Sequence, residues 1–137
     1  MRDSLINREI EFDSVPESIN LIESMVEELK TEMALNEEME ANVLVSLSEA
    51  VNNAIHHGNR DDVSKKVRIK IVKDKNNLAF IVKDEGNGFD ANSIKDPTAL
   101  ENLDKPTGRG VFLMRNLADE VEYSDGGSMV KITFHLN

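Results

Sequence analysis

Apolar positions recur along this chain with two different periods. Residues 6–13 (INREIEFD) alternate weakly, as an edge strand would. Ser14-Val15-Pro16-Glu17 then reads as a helix start, with Ser14 as the candidate cap, a proline early and acids following. Leu21, Ile22, Met25, Val26, Leu29 and Met33 give a helix over about 16–33 one apolar face. Asn36 is the candidate cap of a second helix, which buries Met39, Val43, Leu44, Leu47, Ala50, Val51 and Ala54 and is expected to close on Gly58 as a C-cap. Residues 67–74 alternate as a half-buried strand, Lys75-Asn76-Asn77 turns, and 78–82 form a more buried strand, so the two make a hairpin. Residues 109–118 predict a helix, and 119–124 with 128–136 predict a second hairpin across Asp125-Gly126-Gly127. Between 89 and 107 the periodicity lapses around Pro97 and Pro106, a pattern that predicts a functional loop, here a lid. The expected architecture is α+β: one domain over 1–137, a two-layer sandwich with helices on one face of a mixed or antiparallel sheet.

Composition narrows the functions open to such a domain. A length of 137 residues is enough to bury a real core. The net charge of −10 argues against nucleic-acid binding, which needs clustered Lys and Arg, and fits a basic protein partner better. Lys65, Lys66, Lys70, Lys73 and Lys75 do cluster, but their alternation suits the solvated face of a strand pair. The absence of cysteine removes disulfide and thiolate chemistry. Residues 1–10 hold no apolar signal-peptide core, and no apolar run reaches membrane-span length, so the cytoplasm is the expected compartment.

Polar residues then stand out against the apolar pattern. At about 100° per residue, Glu49, Asn52, Asn53 and His56 fall on one arc of the second helix, opposite its apolar face. A Glu and an Asn four positions apart are usually two solvated side chains. At a phosphate site they do two jobs. The amide oxygen supplies a ligand to Mg²⁺, and the carboxylate one turn back accepts a proton from a nucleophile. Asp84-Glu85-Gly86-Asn87-Gly88 follows the buried strand. A buried Asp84 is acceptor-only and suits the exocyclic amine of adenine, with Gly86 and Gly88 letting the backbone approach the base. Gly108 and Gly110 open the next helix, where backbone N–H groups face an anion, with Thr107 and Arg109 beside them. His56 and His57 read as helix-end polar residues, since no third zinc ligand stands at a suitable spacing.

Taken in order, LSEAVNNAIHHGN (47–59), VKDEGNGFD (82–90) and TGRGVFLMRNLAD (107–119) resemble the N, G1 and G2 boxes of the Bergerat-fold, histidine-kinase-like ATP-binding domains. Within that superfamily the wording resembles the small anti-sigma factor serine kinases of bacteria, over nearly the whole chain. The resemblance implies ATP and Mg²⁺ as cofactors, Asn53 as the metal ligand and Glu49 as the catalytic base. It implies Asp84 as the adenine-binding residue, Gly86 and Gly88 at the base, and Gly108 and Gly110 on the phosphate side. Ser128 falls where the superfamily commonly has a Thr that fixes the Asp and adenine through water. The implied partners are a sigma factor and a STAS-domain anti-anti-sigma protein phosphorylated on Ser or Thr, and the implied assembly is a homodimer. One departure bears on transfer. Some of these kinases carry an arginine just before the first G2 glycine, where this chain has Lys105, Pro106 and Thr107. Two other readings stay open: an ATP-gated binding module without transfer, and a detached histidine-kinase catalytic domain. A gyrase-type ATPase is disfavoured because no transducer domain follows.

Overall fold

The structure, a computed structural model, describes residues 6–86 and 106–136. Five strands occur among them: β1 (Ile6–Asp13), β2 (Lys66–Lys73), β3 (Asn77–Lys83), β4 (Glu120–Ser124) and β5 (Met129–His135). They form one sheet in the order β1-β2-β3-β5-β4, and every neighbouring pair is antiparallel. The helices are α1 (Ile19–Met33), α2 (Glu37–Asn53) and α3 (Pro106–Leu117). This is an α+β architecture, and of the two sheet types expected it is the antiparallel one.

The period-2 pattern explains which face of the sheet is covered. Val67, Ile69 and Ile71 of β2 are buried, while Arg68 and Lys70 between them are exposed. The clustered lysines therefore divide as a solvated strand face divides. Leu78, Phe80 and Val82 of β3 face the same core as Val130, Ile132 and Phe134 of β5. The rings of Phe80 and Phe134 meet edge to face at 6.2 Å, a geometry worth about 0.5–1.5 kcal/mol beyond its buried area.

Helix ends follow the cap chemistry in two places and depart from it in two others. Asn36 Oδ1 accepts the Met39 N–H at 2.7 Å and caps α2. At the end of α1, Ala34 turns left-handed (φ 53°), and the Leu35 N–H reaches back to the Lys30 carbonyl at 3.1 Å. Ser14, by contrast, caps nothing. Residues Pro16–Ser18 form a 3-10 turn before α1, and the Ser14 hydroxyl donates to the Lys65 carbonyl instead, at 2.7 Å. Leu21 also leaves the expected apolar face. It is 52% exposed, because α1 buries only the stripe through Ile22, Met25, Val26 and Leu29.

Gly58 is the second departure. The helix does run out at Gly58, but through a π turn over Ala54–Gly58, closed by the Asn59 N–H on the Ala54 carbonyl at 2.7 Å, so Asn59 and not Gly58 takes the cap position. The left-handed residues lie further on, at Arg60 (φ 53°) and Asp61 (φ 59°). A glycine stands at 58 for a different reason. A methyl group there would overlap the Asp84 carboxylate. One on Gly86 would overlap the Gly58 carbonyl in turn. Two bare backbones thus pass against each other where the end of α2 meets the end of β3.

Candidate functional site

The site is built where α2 crosses the ends of the central strands. Asn53 ends α2 and is buried; Glu49, one turn earlier and about 6 Å along the axis, is half-buried. Asp84 follows β3 directly, and Ser128 precedes β5. Ala50, Asn53, Ala54, Val82, Asp84, Tyr123, Gly127, Ser128 and Val130 line one crevice between these elements. Most of the lining is apolar or small, and three polar side chains, Asn53, Asp84 and Ser128, converge on it. The free volume of the crevice is only about 10 Å³, too small for a heteroaromatic base until the walls part.

Asp84 is held by its own turn. One carboxylate oxygen accepts the Gly86 N–H at 2.8 Å, and the Asp84 N–H donates to the Ser128 carbonyl at 2.9 Å. Burial pushes its carboxyl above the ordinary carboxylate value, against the opposing pull of the Gly86 N–H and the Lys65 and Lys83 charges. No ion pair to Asp84 occurs among the described residues. The buried carboxylate keeps acceptor capacity directed at the crevice, which is the property an adenine amine requires.

The phosphate side brings together the other motif residues. α3 packs on α2. A methyl group on Gly110 would lie 2.9 Å from Glu49 Oε1 and 3.1 Å from Asn53 Nδ2. Gly110, Glu49 and Asn53 are therefore immediate neighbours, although some sixty residues separate them in the chain. The buried Asn53 Nδ2 has no hydrogen-bond partner among the described residues. An orphaned amide in such a place fits a group that supplies its partners from outside the protein. The orphaned N–H₂ is a donor and so suits an anionic acceptor such as a phosphate oxygen, while the amide's other atom, Oδ1, is the one with metal-ligand chemistry.

The remaining expected residues divide. α3 starts at Pro106 rather than at 109, since proline suits a first helical position, so Thr107, Gly108 and Arg109 lie in the helix backbone instead of ahead of it. First-turn N–H groups lack intrahelical acceptors, so an anion-facing end is retained. The end of the expected lid (89–107) thereby becomes helix; the rest of it, and Gly88, lie outside the described residues. The Ser128 hydroxyl is turned to the Asp125 carbonyl at 2.9 Å, and its backbone carbonyl is what meets Asp84. His56, placed by phase on the Glu49 face, pairs instead with Asp61 at 2.6 Å beyond the π turn, which shifts the helical phase. Tyr123 was legible only as the sole tyrosine. It lines the crevice, and burial raises its hydroxyl pKa against the Arg115 charge.

Gly58→Ala tests the back-to-back packing. The added methyl must displace Asp84, so nucleotide affinity is expected to fall together with a destabilisation of about 1–3 kcal/mol. Urea unfolding and nucleotide titration of the same variant measure both. Wild-type values in each would contradict the packing.

Residues 12–134 match the family described as Histidine kinase-like ATPase domain. The chain is 27% identical over 136 residues to the serine-protein kinase RsbW of Bacillus subtilis (strain 168), covering 94% of this chain and 85% of that protein. It is 31% identical over 97 residues to the anti-sigma F factor of the same organism, covering 66% of each. A crystal structure of the RsbU and RsbW domains of Rv1364c from Mycobacterium tuberculosis superposes with a TM-score of 0.65 at 16% identity. The match spans 95% of this chain and 31% of that one, and it bears on the fold alone.

Proposed function

Since the chain belongs to the histidine kinase-like ATPase domain family, we propose that it is an anti-sigma regulatory factor that binds ATP and Mg²⁺ and phosphorylates a serine or threonine of a STAS-domain antagonist. In this reading it acts as a homodimer and sequesters a sigma factor when the antagonist is unavailable. The observation that carries the reading is the meeting of Glu49, Asn53 and Gly110 at one end of a crevice whose other polar wall is Asp84. The kinase and anti-sigma names of the curated relatives support the choice of reaction.

Each residue has a distinct task. Asp84 accepts the exocyclic amine and orients the purine. The Asn53 amide would hold the metal through its oxygen, and the metal would supply neutralisation of phosphate charge. The first turn of α3 directs N–H groups at the phosphates. Glu49 accepts the proton of the attacking hydroxyl as its oxygen bonds to the γ-phosphorus. The bond from that phosphorus to the β-bridging oxygen breaks, and ADP leaves. Positioning and charge neutralisation dominate such a transfer.

Incubation with γ-labelled ATP and a candidate STAS protein tests the proposal. Label on a serine or threonine of that protein is expected. Tight ATP binding with no label transferred to any candidate would favour the second reading, nucleotide-gated binding without transfer. The missing arginine ahead of Gly108 is the feature that speaks for it.

A further inference from the structure

Asn59 is fully buried, although it stands in a turn just ahead of the charged stretch Arg60-Asp61-Asp62. Its Nδ2 donates to Ser14 Oγ at 2.7 Å and to the Lys66 carbonyl at 3.0 Å, while its Oδ1 accepts the Glu85 N–H at 2.8 Å. One carboxamide therefore links the exit of β1, the start of β2 and the end of β3 from the residue that caps the widened helix.

The bond to Glu85 falls at a sensitive place. The three successive N–H groups of the Asp84 turn each have one acceptor: the Ser128 carbonyl for Asp84, Asn59 Oδ1 for Glu85, and the Asp84 carboxylate for Gly86. Among the described residues, Asn59 supplies the only side-chain acceptor from outside that turn. If it is lost, the Glu85 N–H has no acceptor and the peptide between Asp84 and Glu85 is held only through its neighbours, by the Ser128 carbonyl on one side and the Gly86 N–H on the other. The Asp84 side chain hangs from that peptide. Gly58, whose missing side chain admits the carboxylate, is the residue immediately before Asn59.

We infer that Asn59 is a positioning residue for base recognition, fixing the Asp84-Glu85-Gly86 turn so that the Asp84 carboxylate meets the exocyclic amine of adenine. This rests on the reading of Asp84 as the adenine acceptor. Asn59 acts through the Glu85 N–H and touches no nucleotide itself.

The test is the ratio of ADP to inosine diphosphate affinity, measured by calorimetry on the full chain. The two ligands share ribose and phosphates and differ at the 6-position, where inosine's carbonyl replaces the amine. Asn59→Ala is expected to lower the ratio about tenfold, the equivalent of one well-made hydrogen bond. Ser14→Ala removes a partner of Asn59 but leaves its acceptor in place. It is expected to melt lower and keep the ratio within about twofold of wild type. Asn59→Asp retains an oxygen for the Glu85 N–H but sets its other oxygen against the Lys66 carbonyl, so it is expected to melt lower still and yet to restore the ratio. Trimethylamine N-oxide is added to every sample where either variant needs it to fold. An Asn59→Ala protein that folds, melts lower and keeps the wild-type ratio overturns the inference, as does a folded Asn59→Asp protein whose ratio has collapsed. If the wild type binds both ligands alike, the reading of Asp84 itself fails and the inference falls with it.

Discussion

Glu49→Ala is expected to leave ATP affinity near the wild-type value, or slightly tighter, while phosphoryl transfer slows by about two orders of magnitude or more. The carboxylate lies one helical turn from Asn53 and beside Gly110, and unlike Asp84 it does not line the crevice; the proposal places it next to the phosphates. A negative group next to phosphates opposes binding. Its value lies in the transition state, where it takes the proton leaving the attacking hydroxyl. Asn53→Ala removes the metal ligand as well and is expected to lose both binding and transfer. Calorimetry for affinity and single-turnover labelling for the rate separate the two variants. A folded Glu49→Ala protein that no longer binds nucleotide would make the carboxylate structural. One that transfers at the wild-type rate would place the base elsewhere.

Asp84→Asn is expected to weaken adenine nucleotide binding about 10- to 100-fold and, at the same time, to stabilise the nucleotide-free protein at neutral pH. The first effect is the loss of a charged acceptor for the adenine amine, worth about 1.5–3 kcal/mol. The second follows from linkage. Burial raises the Asp84 pKa in the folded protein above the ordinary carboxylate value, so the fold favours the protonated form. That preference is fully present below the unfolded-state value and is lost as pH rises through the folded-state value. At pH 7 the ionised carboxylate is therefore a net cost to the empty protein. An amide of the same shape retains an oxygen for the Gly86 N–H without that cost. Thermal melts of both proteins at pH 7 and near pH 4 measure it. The melting-point advantage of the asparagine variant should shrink at the lower pH. A variant less stable than wild type at pH 7, or one with undiminished ADP affinity, would refute the assignment of a desolvated, base-reading carboxylate.

Local physics explains what was legible beforehand. Strand alternation in 67–73 and the apolar stripe of α1 are short-range patterns that one sheet face and one helix side satisfy directly. The Asn36 cap is equally local, since its acceptor reaches a donor only three residues away. Ser14 was misjudged for the opposite reason. A serine ahead of an early proline has cap chemistry, but here its hydroxyl is drawn to the Lys65 carbonyl and to Asn59, both about fifty residues on. Leu21 satisfied the helical period and is still exposed, because which side of a wide apolar stripe is covered depends on neighbours that periodicity does not specify.

The candidate site divides along the same line. The sequence by itself determined the types of group available: a carboxylate and an amide one turn apart, an aspartate ending a buried strand, and glycines at the joints. Their identities and short spacings are properties of the chain alone. Only the tertiary structure decided that Gly110 lies against Glu49 and Asn53, and that Asp84 shares a crevice with Asn53 and Tyr123. It also decided that Gly58 is bare to admit a carboxylate rather than to cap a helix, and that Asn59 is a buried brace rather than a solvated amide. Such contacts join elements distant in the chain. They are set by how α2, α3 and the central strands pack on one another, and no local period records that packing.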